Sequence, residues 1–247
     1  MSNRLAASAY KNRVVEYLDK HLAGVAAKAF DLLKRKGVSL AFIGSVAALL
    51  HDIGKSLDPY QSCLINHGDA CSYVAHEVFS AVMTHKLFEI FPDLIPDEVL
   101  RGLGKDFGIG RGDVVKIVMI PVLLHHQAMG DPLERLDRFI KRYSGWIEIG
   151  KELVYAIRVA VEEFSNEAGV KLSIELSEDH VNELERTIND FVYMRRNNPL
   201  KAVEVLRPPQ DSDYSCTALV KLVTGVLIIS DLHVARRSRR SIPFVDV

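Results

Sequence analysis

Residues 39–56 read SLAFIGSVAALLHDIGKS, an apolar run that ends in His51-Asp52 and is followed at once by Gly54-Lys55. The run is too long for a buried strand and lacks strict alternation, so it predicts a helix. Gly54 supplies a helix stop, because glycine takes a left-handed turn at no steric cost. An imidazole and a carboxylate therefore stand side by side where an apolar helix ends. Adjacent helical positions diverge by about 100°, so the pair shares one centre only by straddling it or by lying where the helix frays.

Helical spacing continues on both sides. Upstream, Val14, Leu18, Leu22, Val25 and then Leu32 or Leu33 recur at that period, and Lys34-Arg35-Lys36-Gly37 closes the helix. Downstream, residues 63–69 read as loop and 73–91 as helix, and Pro96 opens a short helix to about 103. The glycines of 102–112 suit a surface loop. Residues 114–126 form another apolar helix, with Pro121 as a candidate kink. Segments 132–143, 151–166, 177–197 and 213–237 complete the helical set, and 177 supplies a Ser N-cap before an acidic first turn. Only 170–176 alternates weakly, as a short strand would. The expected class is all-α, and without a linker or internal repeat the whole of 1–247 reads as a single domain.

The composition excludes several functions. Of the 247 residues 48% are hydrophobic and 26% charged, which excludes disorder and collagen-like or disulfide-rich scaffolds. Thirty-one Lys and Arg against 32 Asp and Glu leave a net charge of -1, so no overall basic field attracts polyanions or membranes. The three cysteines, Cys63, Cys71 and Cys216, are irregularly spaced, and residues 1–13 lack the apolar core of a signal peptide. The most apolar stretch, 218–230, falls short of the roughly 20 residues of a membrane span. A cytoplasmic protein with no membrane partner is expected.

The nine histidines are informative through their neighbours: His51-Asp52, His76-Glu77, the doublet His125-His126, and Asp231 inside the last apolar helix. Imidazole and carboxylate are the donor set for Zn, Mn, Fe, Co and Ni, and one carboxylate can bridge two ions about 3.5–4 Å apart. Asp52 is the candidate bridge. A buried Asp231 is costly unless a cation or metal faces it.

His-Asp-x-Gly-Lys at 51–55 resembles the doublet that names the HD superfamily of metal-dependent phosphohydrolases, helical bundles with a central metal site. The order narrows this further: His21 in His-Leu-x-x-Val, the 51–55 element, His-Glu-x-x-Ser-Ala at 76–81, His125-His126, and a late helical Asp231. Taken together, over residues 21–231, it resembles the HD nuclease of type I CRISPR interference in its stand-alone form, without the helicase. The resemblance implies one metal on His21, His51, Asp52 and Asp231, and a second on Asp52, His76, His125 and His126. The ions would be divalent, Mn, Fe, Co, Ni or Mg, and would hydrolyse phosphodiester bonds of DNA, preferentially single strands and RNA as well, in antiviral defence. Asp52 and Lys55 would be catalytic. Lys55, Ser80, Arg236 and Arg237 would meet the substrate, whereas Glu77 points away from His76 and reads as solvated. A separate helicase subunit and a guide-RNA surveillance complex are implied as partners.

Other readings of the same residues differ. An HD hydrolase of nucleotides or cyclic nucleotides would use the same metal core, although the His125-His126 doublet and the 76–81 element favour the nuclease, and a helical adaptor with a degenerate site is at odds with the presence of every expected ligand. Cys63, His67 and Cys71 offer three ligands for zinc, but the spacing fits no familiar knuckle. Arginines 236–240 read as a solvated tail or as a phosphate- or helicase-contacting patch. Gly54-Lys55-Ser56 is not a phosphate loop, because Leu49 stands where that pattern needs glycine and a helix where it needs a strand. No nucleotide cofactor is expected.

Overall fold

The computed structural model describes residues 4–10, 13–67, 73–126, 129–206 and 214–240. The chain opens with a hairpin of β1 (Ala6–Tyr10) and β2 (Arg13–Tyr17), paired antiparallel, and then runs mainly through helices. These are α1 (Leu18–Leu33), α2 (Val38–Leu50), α3 (Asp58–His67), α4 (His76–Ile90), α5 (Asp97–Phe107) and α6 (Arg111–Leu124). They continue with α7 (Pro132–Arg142), α8 (Glu152–Ala168), α9 (Glu178–Asn197), α10 (Pro199–Leu206) and α11 (Tyr214–Arg240). Short 3₁₀ turns occupy Lys34–Lys36 and Ile53–Ser56. The mostly helical expectation holds.

α2 is the axis of the bundle. Eleven of its residues, Leu40 to Leu50, are buried, including Phe42, Ile43 and Leu49. Such all-round burial explains why its apolar run shows no one-sided stripe. α1 packs along α2 and α8, while α6 meets α2, α4 and α11. The helices that carry the singled-out histidines and carboxylates are therefore neighbours.

Several local expectations are corrected. Residues 13–17 are strand rather than the start of the first helix, because they pair with β1 and the N–H of Leu18 is donated to the carbonyl of Leu5. Residues 58–67 are helical where 63–69 read as loop, with Tyr60 and Leu64 one turn apart and buried. Helix α4 starts at His76 rather than 73, after Ala75 takes a left-handed φ of 70°. The stretch 102–112 is mostly helix, broken at Gly108 with φ 70°. Residues 170–176 bury Leu172 and Ile174 alternately, yet have no strand to pair with among the described residues. Helix α10 lies between the helical segments 177–197 and 213–237 that the sequence predicts.

Two helical segments have the length and apolarity of a membrane span. Val38–Ser56 is 83% buried inside the bundle, and Tyr214–Ser238 is 33% buried. The second extends well beyond the apolar stretch 218–230.

Candidate metal centre

The seven predicted ligands converge. The ligand atoms of Asp52, His76, His125 and His126 lie within 4.8 Å of one another, as do those of His21, His51 and Asp231. Between the groups stands the Asp52 carboxylate, 1% exposed. Its Oδ1 is 3.0 Å from His76 Nε2 and 3.6 Å from His125 Nε2. Its Oδ2 is 3.3 Å from His21 Nε2 and 3.4 Å from His51 Nε2. Asp231 Oδ1 lies 3.3 Å from the same His21 Nε2.

Local backbone geometry explains how neighbours in sequence reach one centre. His51 and Asp52 follow the last residue of α2, and Asp52 leaves helical geometry at φ -115°, ψ 9°. His125 and His126 follow the last residue of α6 in the same way. Both pairs sit where a helix ends.

The hydrogen bonds fix the imidazole tautomers. Nδ1 of His51 lies 2.7 Å from the carbonyl of Ala48, that of His76 2.7 Å from Tyr73, and that of His125 2.6 Å from Val122. A carbonyl only accepts, so each Nδ1 carries the proton, and in the neutral ring each Nε2 presents a lone pair inward. Those three Nε2 atoms, with Asp52 Oδ1, are buried without a hydrogen-bond partner among the described residues. Buried polar atoms left so are costly, and bare Nε2 atoms facing a carboxylate are the donor set that divalent transition ions take. The residues fit a metal.

His21 is braced differently. Its Nδ1 lies 3.2 Å from Glu16 Oε2 on β2, and the other Glu16 oxygen accepts from the hydroxyl of Ser238 at 2.7 Å. A carboxylate behind a metal-facing imidazole orients the ring and raises its basicity. Burial lowers the His21 pKa, but the carboxylates of Asp231, Asp52 and Glu16 outweigh it and raise it well above the ordinary value. His51 goes the other way: burial, aided by His125 and His21, pushes it down to about 4. Burial and the neighbouring His125 and His76 also push His126 down. Asp52 stays ionised despite burial, since His51 and Lys55 hold it well below the usual carboxylate range. Asp231 is likewise held low, with His21 countering its burial.

Lys55 joins the site. Its Nζ is 2.6 Å from Asp52 Oδ2 and 5.1 Å from the ring centre of Tyr73. Lys55, His126 and Asp231 are the partly exposed members, so the centre opens to solvent on their side.

Other expected residues fall elsewhere. Ser80 is fully buried and accepts the N–H of Gly54 at 2.9 Å, so it anchors the turn after Asp52. The reason for glycine at 54 also changes. It has no left-handed φ; instead, a Cβ there would stand 2.3 Å from the carbonyl oxygen of His76, so only glycine lets this turn lie against the start of α4. Arg236 and Arg237 are exposed and lie about 140° and 240° round α11 from Asp231, away from the centre. Cys63 is disulfide-bonded, a pairing its spacing did not suggest, which removes it from any zinc set. Cys71 and the His67 side chain lie outside the described residues.

Two groups escaped the sequence reading. Glu16 sits on a strand where a helix was expected. Glu77 is fully buried rather than solvated: its Oε1 is 2.7 Å from Arg135 on α7 and its Oε2 3.5 Å from His76 Nδ1. The one available signal was its adjacency to His76. Among protein-family profiles, curated proteins and solved structures, none matches this chain.

Proposed function

We propose that the protein is a metal-dependent phosphodiester hydrolase of the HD kind, cleaving DNA strands, preferentially single ones, as the stand-alone nuclease of a type I CRISPR system. The observation that carries the hydrolase reading is Asp52, with one carboxylate oxygen turned to each group of ligands. A carboxylate so placed would be able to bridge two ions. Such a pair activates water and neutralises charge on a phosphodiester. Strand specificity rests on the ordered motif set from His21 to Asp231.

The residues around the centre have separable tasks. Asp52 and Asp231 hold negative charge at neutral pH, so cations enter without waiting for a proton to leave those groups. Backbone carbonyls hold His51, His76 and His125 with Nε2 inward, and Glu16 does so for His21. Lys55 lies at the solvent side of Asp52, where its ammonium can meet a phosphate oxygen and the charge that develops on it. The near-neutral chain has little long-range attraction for DNA, which suits delivery of the strand by a helicase subunit and a guide-RNA complex.

The test is cleavage of end-labelled single-stranded and duplex DNA by metal-stripped protein reconstituted in turn with Mg, Mn, Fe, Co, Ni and Zn, beside a panel of nucleotides and cyclic nucleotides. Metal-dependent strand cleavage that is lost in Asp52→Ala is expected. Hydrolysis of nucleotides with DNA left intact would transfer the same centre to the nucleotide-hydrolase branch.

A further inference from the structure

Helix α11 has two apolar faces, and the described residues cover only one of them. Cys216, Leu219, Val223 and Leu227 are buried against the bundle. Turned away from them, Ser215, Ala218, Leu222, Gly225, Ile229, Leu232 and Arg236 follow one another at alternating spacings of three and four. That is the heptad seam of a helix meeting another helix. Leu222, Ile229 and Leu232 on this seam are 38%, 56% and 49% exposed. A cavity of about 400 Å³ on the same face is bounded by Ile229, Leu232, His233, Arg236 and Arg237. The first four stand at i, i+3, i+4 and i+7, the arrangement that forms the hole for a knob from a facing helix.

We infer that this seam pairs α11 with α11 of a second copy of the chain, in antiparallel orientation. The seam is graded in size: Ser215 and Ala218 are small, Gly225 has no side chain, and Ile229 and Leu232 are large. Reversing one helix against the other sets Leu222 over Gly225, Ala218 against Ile229 and Ser215 against Leu232, so that each large residue meets a small one. Space is open at Gly225, where a Cβ would have no neighbour within 4 Å. A parallel pair would instead stack glycine on glycine and the large residues on each other, leaving a void beside an overpacked layer.

Charge favours the same orientation. Exposed Arg236 and Arg237 lie toward the C-terminal end of the helix. Reversal parts the arginines of the two copies, whereas a parallel pair would set them side by side. Asp231 lies on the covered side, so the pairing leaves the metal centre free.

Sedimentation equilibrium of the full chain tests this. Wild type is expected to show twice the chain mass at high micromolar concentration and to dissociate on dilution. Ile229→Lys is expected to stay monomeric with unchanged helicity, and Gly225→Leu to weaken association at least tenfold. Mixing Ala218→Cys with Ile229→Cys chains should give mainly the mixed disulfide, as the antiparallel layers require. A wild type that is monomeric throughout, a dimer indifferent to Ile229→Lys, or a predominance of homodisulfides would overturn the inference. So would a monomer that floats with phosphatidylcholine vesicles and loses that ability in Ile229→Lys.

Discussion

Glu16 Oε2 lies 3.2 Å from Nδ1 of His21, while the opposite nitrogen of the ring lies 3.3 Å from both Asp52 Oδ2 and Asp231 Oδ1. A strand thereby fixes the ring of a helix residue from behind, and Ser238 of α11 steadies the strand carboxylate. Outer carboxylates of this type are worth about 10–100-fold in metal affinity. Glu16→Ala is therefore expected to weaken binding at the His21, His51 and Asp231 group by that factor. Glu16→Gln, whose amide oxygen still accepts from Nδ1–H, should lose less. Titration of metal-stripped protein with Mn or Co, followed calorimetrically, reads the difference.

The pair Glu77 and Arg135 is buried, and Glu77 lies within 3.5 Å of His76. Removing one partner of such a pair leaves an uncompensated charge, at a cost of about 3–5 kcal/mol. Arg135→Met is expected to lose that much in urea denaturation of the metal-free protein. Adding Glu77→Gln to it should restore a large part of the loss, since the stranded charge is gone. Equal destabilisation in the single and double variants would show that packing, rather than charge, governs the site.

Much of the centre was legible because the ligands sit in short ordered motifs and the helices that hold them repeat apolar residues over long runs. His51-Asp52 and His125-His126 were read at helix ends, and helix ends are where the structure places them. What escaped depends on tertiary contact. Val14 to Tyr17 satisfy a helical period as well as a strand one, and only pairing with β1 decides between them. Glu77 does diverge from His76 round the helix, but the side it turns to is covered by α7 and Arg135, so it is buried instead of solvated. Ser80 and Gly54 share one close approach between the turn and α4, which no local pattern reveals.

Stability of the metal-free protein should fall as the pH is lowered through the mildly acidic range. His51 titrates near 6.5 when exposed, and burial brings it to about 4 in the fold. Between those values the unfolded chain binds a proton that the folded chain refuses, so acid favours unfolding by on the order of 3 kcal/mol over that window. His126, also pushed down, acts with the same sign. His21, pushed up, acts oppositely: its contribution is full below its ordinary value and is lost as the pH rises through its folded one. Chemical denaturation of chelator-treated protein at pH 6.5 and 4.5 should show the acid loss, reduced in His51→Gln.

Under the proposed function, the Asp52 carboxylate would join two ions. The most direct measurement is metal stoichiometry by mass spectrometry, combined with electron paramagnetic resonance of the Mn-loaded chain. Wild type should hold two Mn ions per chain with a spin-coupled spectrum, and Asp52→Ala should lose the coupling together with at least one ion. Two ions with unchanged coupling in Asp52→Ala, or a wild type that saturates at one ion, would contradict it.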